Sequence, residues 1–462
     1  MVDYDAIIIG SGIGGTAVGA LLSSENLSTI IIEKNESIGG KCSTYEKEGF
    51  KIDIGVHSFA RCDKGPLGKV LDTIGMKDAI NWSIVGPGEA RWYYKGDFYG
   101  FPDDFTKLIP KSDILGLVKL VNEATKLKDT SKFDEVDVQS WLNEFTNNSL
   151  VHRYISMLCG LYFVLPYYQA STGEFIKCLT TLNKHQSVGY PEGGCISIPL
   201  AYIKGMKKNG GKLMINSEVT KIIVEDNAVK GVELENGDQI TSTFVISNGG
   251  IKNTISNLVG TKYFDKNFLQ NINGLEYSLS AVTLKIALKK RLSPHKIVIS
   301  IGSENTEDNY NMVMKGKVPD EIDYFTPIPS NYHSSMAPEG KQLLTAGTIV
   351  TQNNFIKNKE KWIENSFSSL EKAFPGLKDN LLWYDITTPE DIYNMYGKEA
   401  AVIGIGQTIS QAGSNRPSVS LPIEGLYMVG GDAGGWGIGT ELAAESAFEC
   451  FNVISQKKSS HK

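Results

Sequence analysis

No two of the six cysteines (Cys42, Cys62, Cys159, Cys178, Cys195 and Cys450) stand at CxxC spacing, and their intervals form no regular framework. Neither a zinc site nor a disulfide scaffold is indicated, and a reducing compartment fits. An excess of basic residues is also missing: 46 Lys and Arg face 52 Asp and Glu, a net charge of -6. No nucleic-acid partner is expected, since that would need a basic face. Long hydrophobic runs are absent. The longest, Tyr154 to Tyr168, contains Pro166 and is shorter than the roughly 20 residues of a spanning helix. Met1 to Asp5 carries no cationic stretch or cleavage site, so the expected location is cytoplasmic, with contact at a membrane surface left open.

What remains is an ordinary globular composition, 41% hydrophobic and 21% charged over 462 residues. That length suggests about two or three compact units. Asp5 to Ile9 reads as a buried parallel strand, Thr16 to Leu22 as a helix and Thr29 to Glu33 as the next strand, which together make a right-handed βαβ unit. Phe59 to Phe175 is less regular, with helices expected at Ser112 to Leu127 and Val138 to Thr146. Strands at 212–215, 219–224 and 231–234, with turns at Asp226-Asn227 and Asn236-Gly237, read as antiparallel. Further strands are expected at 278–287, 297–301, 342–351 and 425–429, and helices at 359–374 and 440–454. The basic tail Gln456 to Lys462 suggests fraying.

Gly10-Ser11-Gly12-Ile13-Gly14-Gly15 follows a strand and opens a helix, the context in which GxGxxG binds a dinucleotide. Gly10 permits the tight turn, Gly12 the approach of a pyrophosphate, and Gly15 close helix–strand packing. The helix N-terminus favours the phosphate charges. Glu33 ends the second strand, placed to accept hydrogen bonds from ribose hydroxyls. These features alone do not separate NAD from FAD.

The continuation does. Glu33-Lys34 through Gly39-Gly40-Lys41-Cys42-Ser43, then Gly49 to Phe59, resembles the extended flavin motif of the phytoene desaturase and amine oxidase superfamily. The resemblance implies FAD, with the double glycine passing close to it and Lys41, where arginine is commoner, near the pyrophosphate or flavin. Gly189 to Gly194 resembles the aromatic-Pro-x-Gly-Gly segment of the desaturase branch, and Val219 falls where that family's backbone meets adenine. Ala337 to Lys341, Thr388 to Asp391 and Asn415-Arg416-Pro417 are similar to further marks of that branch. Gly425 to Gly431-Asp432 and Gly437-Ile438-Gly439 resemble the closing motif, which implies Asp432 at the ribityl-phosphate region and a helix N-terminus at the flavin pyrimidine.

The implied fold is α/β: a discontinuous Rossmann-like FAD-binding domain of residues 1–75, 185–260 and 410–455, with an inserted mixed-sheet and helical substrate domain of 76–184 and 261–409. His57 and Trp436 are the candidate residues beside the reactive ring. His57 would orient substrate or move a proton, with packing as the alternative; Trp436 is positioned like one wall of the amine oxidase aromatic cage, without the opposing tyrosine, so that plain packing against the flavin is its other reading. Leu161 to Tyr168 is either a greasy tunnel or core. No second strand-GxGxxG-helix unit occurs, so no NADPH domain is expected, and dioxygen, a quinone or a carrier would exchange electrons with the flavin. The branch includes carotenoid desaturases, isomerases and retinoid saturases, which implies a hydrophobic isoprenoid or lipid-like substrate. Alternatives are an amine oxidase and a prenyl-partner-binding protein of the GDP-dissociation-inhibitor type.

Overall fold

The computed structural model describes residues 2–101, 104–302 and 306–460. Two seven-stranded sheets organise them. In the first, five strands run parallel in the order Leu426–Met428, Gln239–Ser247, Tyr4–Ile9, Thr29–Ile32 and Lys212–Met214. Ile7 and Ile8 of Tyr4–Ile9 and the isoleucines of Thr29–Ile32 are buried on both faces, as the interior of a covered parallel sheet requires. Gln239–Ser247 is long enough to serve two neighbours along one edge. Its beginning pairs antiparallel with Ala228–Leu234 and its end parallel with Leu426–Met428. Val219–Glu225 closes that meander through a turn at Asp226 and Asn227, both at positive φ, the geometry that matches sheet twist.

One strand departs from the sequence reading. Lys212–Met214 pairs parallel with Thr29–Ile32 instead of joining the antiparallel meander. Three residues carry too little alternation to distinguish the two. Helix Ile13–Ser24 packs against Ser197–Lys208 and Thr440–Ser460. A Cβ on Gly19 would come within 3.0 to 3.2 Å of Ile31 and Met206, so glycine sets that close approach. The last helix continues through Gln456 to Ser460, where composition alone suggests fraying; residues 461 and 462 lie outside the described residues.

The second sheet has the order Leu381–Thr387, Ser280–Leu288, Gln342–Val350, Tyr324–Pro327, Ile297–Ser300, Ala90–Tyr94 and Asp97–Gly100. It is antiparallel except where Ile297–Ser300 meets Ala90–Tyr94. Helices Lys111–Lys126, Ser149–Phe163 and Thr172–His185 lie between strands Asp97–Gly100 and Gly189–Pro191. Asn148 caps Ser149–Phe163 by accepting from the amides of Leu150 and Val151, and Val164 ends it in the left-handed conformation two residues before Pro166. The apolar run from Tyr154 is thus most of one helix and its exit.

Candidate active site

A cavity of about 1040 Å³ is lined by residues of both sheets. That lies at the top of the roughly 300–1,000 Å³ range of small-molecule sites, large enough for more than one ligand. At one end stand Gly10, Gly12, Ile13 and Gly14. Gly12 is the N-cap of Ile13–Ser24, no side chain caps it, and the first turn contains no acid. Its free amides therefore form an uncompensated anion cradle. Gly10 sits at φ +94, a turn that only glycine makes easily. A Cβ on Gly12 would lie 2.7 Å from Asn248 Nδ2, and one on Gly14 2.8 Å from the Gly430 amide. Gly15 is outside the lining: a Cβ there would fall 2.1 Å from the Gly10 carbonyl oxygen, where helix meets strand.

Glu33 and Lys34 line the same end, with Val219 beside Ser217 and Glu218. Glu33 Oε2 accepts from Ser11 N at 2.8 Å and Ser11 Oγ at 2.7 Å; Oε1 accepts from Asn35 N at 2.9 Å and Asn35 Nδ2 at 3.0 Å. The carboxylate is fully hydrogen-bonded, so a ribose diol would replace one of the side-chain donors rather than find a bare anion. Gly39 and Gly40, at φ +98 and +59, bring the next segment across, and Gly39 bridges to Gly12.

Lys41 lines the cavity, but its Nζ donates to the carbonyls of Ala401 and Val402 at 2.8 and 2.9 Å. Burial, with help from the neighbouring Lys398 charge, lowers its pKa to about 7 against the opposing pull of Asp432. Asp432 is fully buried and does not line the cavity, contrary to a direct contact with a ribityl-phosphate region. It accepts instead from Ile251 N at 2.9 Å, Lys398 Nζ at 3.2 Å and Ile405 N at 3.3 Å. Through these it sets Gly250 and Lys398, which do line the cavity. Gly431, Ile438 and Gly439 line it as well; Gly437 does not, its carbonyl accepting from Gln407 Nε2. Arg416 clamps the closing glycine turn by donating to the carbonyls of Gly434 and Gly431, both at 2.6 Å.

His57 lines the wall beyond Gly40, stacked on Phe59. Its Nδ1 lies 3.5 Å from Asp53 Oδ2, too far for a good hydrogen bond. Burial opposes its charged form, whereas the Cys195 sulfur and then the Asp53 carboxylate favour it, and the net direction is upward. The Cys195 thiol is itself pushed up by burial and neutral, so Asp53 is the anion left to favour a proton on the ring. Cys42 and Cys195 place their sulfurs, and His57 a ring nitrogen, within 4.8 Å of one another, a grouping invisible in the cysteine spacing. All six cysteines are free and buried.

The other end is an arm with a largely apolar wall. Arg153, Met157, Gly160, Leu161 and Val164 line it from one face of Ser149–Phe163 and its exit. Ile299, Phe325 and Ile349 of the second sheet, with Ile301 just past its strand, line the arm too. The segment Leu161 to Tyr168 divides between both alternatives: Leu161, Tyr162 and Val164 line the cavity, whereas Phe163, Leu165 and Tyr167 are core. Trp436 is expected beside the reactive ring. It is not among the lining residues; Lys177 Nζ lies 4.2 Å and the Arg61 guanidinium, paired with buried Glu441, 5.0 Å from its centroid.

Residues 13–389 match the family described as flavin containing amine oxidoreductase. The chain belongs to that family. Its relatives include a chloroplastic prolycopene isomerase of Daucus carota, 24% identical over 93% of this chain and 76% of that protein. An all-trans-retinol 13,14-reductase of Danio rerio is 23% identical over 98% and 86%. An oxidoreductase of Methanosarcina mazei has a TM-score of 0.78 at 21% identity, over 97% of this chain and 99% of that one. This flavoenzyme is an FAD-dependent oxidoreductase with the discontinuous α/β fold of the superfamily, and the uncapped, acid-free amide cradle suits a pyrophosphate. Several lining residues of the flavoenzyme escape the motif reading: Asn248, Gly249 and Gly250, Lys252, Tyr396 and Lys398. The first three end Gln239–Ser247 and enter a short helix, a strand followed by Asn-Gly-Gly that was a usable signal. Thr388 and Asp391 form a capping box on Pro389–Tyr396, the helix that delivers Tyr396 and Lys398.

Proposed function

We propose that the enzyme moves hydride between FAD and an isoprenoid or other lipid-like chain, making or removing a carbon–carbon double bond. The observation that carries this reading is the apolar arm, with Met157, Leu161, Val164, Ile299 and Ile349 along its sides, opening from the motif end of the same cavity. The relatives named for prolycopene and all-trans-retinol support it. Bound FAD supplies the two-electron hydride acceptor or donor. The chain's part is to bind and align the substrate and to exclude water, worth many orders of magnitude when a reacting carbon is held in place. His57, on the cavity wall with Asp53 Oδ2 3.5 Å from its Nδ1, is placed to orient the substrate. An amine oxidase would want an aromatic cage, and Trp436, the wall available in the closing motif, faces Arg61 and Lys177 instead.

We assign residues 1–75, 185–260 and 410–455 to the FAD-binding domain and 76–184 and 261–409 to the substrate domain, a division supported by the strand sources of the two sheets. A lipid-like substrate also needs delivery. No helix among the described residues is long and apolar enough to cross a membrane. Leu115, Val118 and Val121 nevertheless stand 72%, 50% and 40% exposed along one stripe of Lys111–Lys126. Lys111, Lys119 and Lys126 share that helix, and Lys107 and Lys128 flank it, a combination suited to an anionic bilayer surface. Asp113 ties the helix to Asn148, the cap of the cavity-lining helix.

Anaerobic mixing of the holoenzyme with polyprenoids and, separately, with amines tests the chemistry. Bleaching of the oxidised flavin by a polyprenoid, or its return when reduced enzyme meets a polyene, is expected. Reduction by amines alone would overturn the reading.

A further inference from the structure

We infer that the substrate carries a hydrogen-bonding oxygen, as a hydroxyl, carbonyl or carboxylate, at the far end of its apolar chain, and that Arg153 receives it. This rests on the reading of the arm as a lipid-chain site. Arg153 lines the arm and is only 2% exposed. Its Nη2 donates to Asp323 Oδ2 at 2.6 Å, while Nε has no partner among the described residues. A guanidinium has five donors, and a buried one is ordinarily satisfied throughout, because an unpaired polar group in an apolar site is unfavourable. Asp323 does not fill the deficit: its other oxygen accepts from Gly302 N at 2.9 Å, and its side chain is 38% exposed, so its charge is shared with water.

The same stretch holds a second under-used group. Ser300 is buried, lines the cavity, and its Oγ also lacks a partner among the described residues. Asn309 and Tyr310 line it too, and Tyr310 is near enough to Asp323 and Arg153 for both charges to bear on its hydroxyl. A methyl-ended chain would seal these groups against hydrocarbon. An oxygen at that point would take up a guanidinium donor and leave the apolar wall to the rest of the chain.

The position of this cluster also restricts the reaction. Arg153 and Val164 lie at opposite ends of one helix face, about 16 Å apart at the helical rise. Val164 O accepts from Leu279 N, Leu279 O from Val402 N, and Val402 O from Lys41 Nζ, which places Val164 at the flavin-motif end. The anchored oxygen is therefore remote from the redox centre. It selects the substrate and sets its register, while the bond that changes is a carbon–carbon bond within the chain.

Dissociation constants for three chains of one skeleton decide the matter: geranylgeraniol, geranylgeranoic acid and the methyl-ended hydrocarbon, read from the visible flavin spectrum of the oxidised holoenzyme and from tryptophan quenching. At least one oxygenated chain is expected to bind about tenfold or more tighter than the hydrocarbon, the effect of one hydrogen bond to a charged group. Arg153→Met should bring the three within about threefold. Arg153→Lys, which keeps the charge and so guards against a misfolded Met variant, should weaken only the oxygenated chains. Equal binding by the wild-type protein, or an unchanged preference in Arg153→Met, overturns the anchor alone. Failure of all three chains to bind overturns the lipid-chain reading with it, whereas preferential binding without turnover sustains the anchor and removes the redox assignment.

Discussion

The walls around Gly12 and the walls around Arg153 enclose one cavity, yet the first is mostly backbone and the second almost wholly side chain. Around Gly12, amides, carbonyls and turns of Gly10, Gly12, Gly39 and Gly40 approach so closely that added Cβ atoms would strike neighbours or strain the chain. Around Arg153 the wall comes from a helix near residue 157, strands near 299 and 349, and Asp323. A cofactor end made of backbone tolerates little change, because every contact is fixed by chain geometry. A substrate end made of side chains can be altered one residue at a time without disturbing the fold.

The largest effect is expected from Asp432→Ala, behind the backbone-built end. The change leaves the Lys398 ammonium buried without its anion and the Ile251 and Ile405 amides without an acceptor. Removing one partner of a buried ion pair costs about 3–5 kcal/mol, which urea unfolding would register together with loss of bound flavin. An apoprotein within 1 kcal/mol of the wild type would show that Asp432 is no keystone and that the two ends are equally pliable.

Lys41→Met comes next and separates charge from backbone at the same end. Burial lowers Lys41 to about 7, so in the apoprotein it loses its proton as pH rises through that value. An anionic dinucleotide beside it favours the protonated form, and binding above pH 7 then takes up a proton. The sign follows: affinity for FAD falls as pH rises above 7, by up to about tenfold per pH unit, and is flat below. Flavin titrations of the apoprotein at pH 6 to 9 should show this slope in the wild type and none in Lys41→Met. A slope that survives the substitution would place the linked proton elsewhere.

A smaller effect belongs to the exposed stripe on Lys111–Lys126. Leu115→Ser with Val118→Ser should weaken sedimentation with phosphatidylserine-containing vesicles about tenfold through lost apolar burial, without moving the unfolding midpoint, since both side chains are already exposed. Unchanged vesicle binding would remove this helix from any membrane role.

The contrast also explains what could be read before the fold was known. Backbone-built features leave marks in sequence order: Gly10, Gly12, Gly14 and Gly15 sit within six residues, Gly39 and Gly40 are adjacent, and alternation or apolar runs marked Tyr4–Ile9 and the meander Val219–Leu234. Side-chain assemblies leave none. Arg153 and Asp323 are 170 positions apart, and nothing local in either segment marks an ion pair. The Cys42, His57 and Cys195 grouping is likewise a product of the fold, because Cys195 arrives through the Gly193-Gly194 turn and is fixed by its amide to Asp53. Asp432 shows the intermediate case: its motif was legible, but whether its carboxylate faced the cavity or the amides behind it depended on Ile251 and Lys398, both distant in sequence.

Trp436 provides the smallest and most discriminating test, because motif position and geometry disagree about it. Position in the closing motif puts the ring beside the flavin, whereas its observed neighbours are the Arg61 and Lys177 cations. Trp436→Leu should therefore cost only about 1 kcal/mol of stability, the worth of partly exposed cation–π contacts. It should leave the visible flavin spectrum and the rate of flavin reduction unchanged within twofold. A shifted spectrum or a tenfold slower reduction would return the ring to the cavity wall and reopen the amine oxidase reading, since that wall is the half of an aromatic cage the sequence does contain.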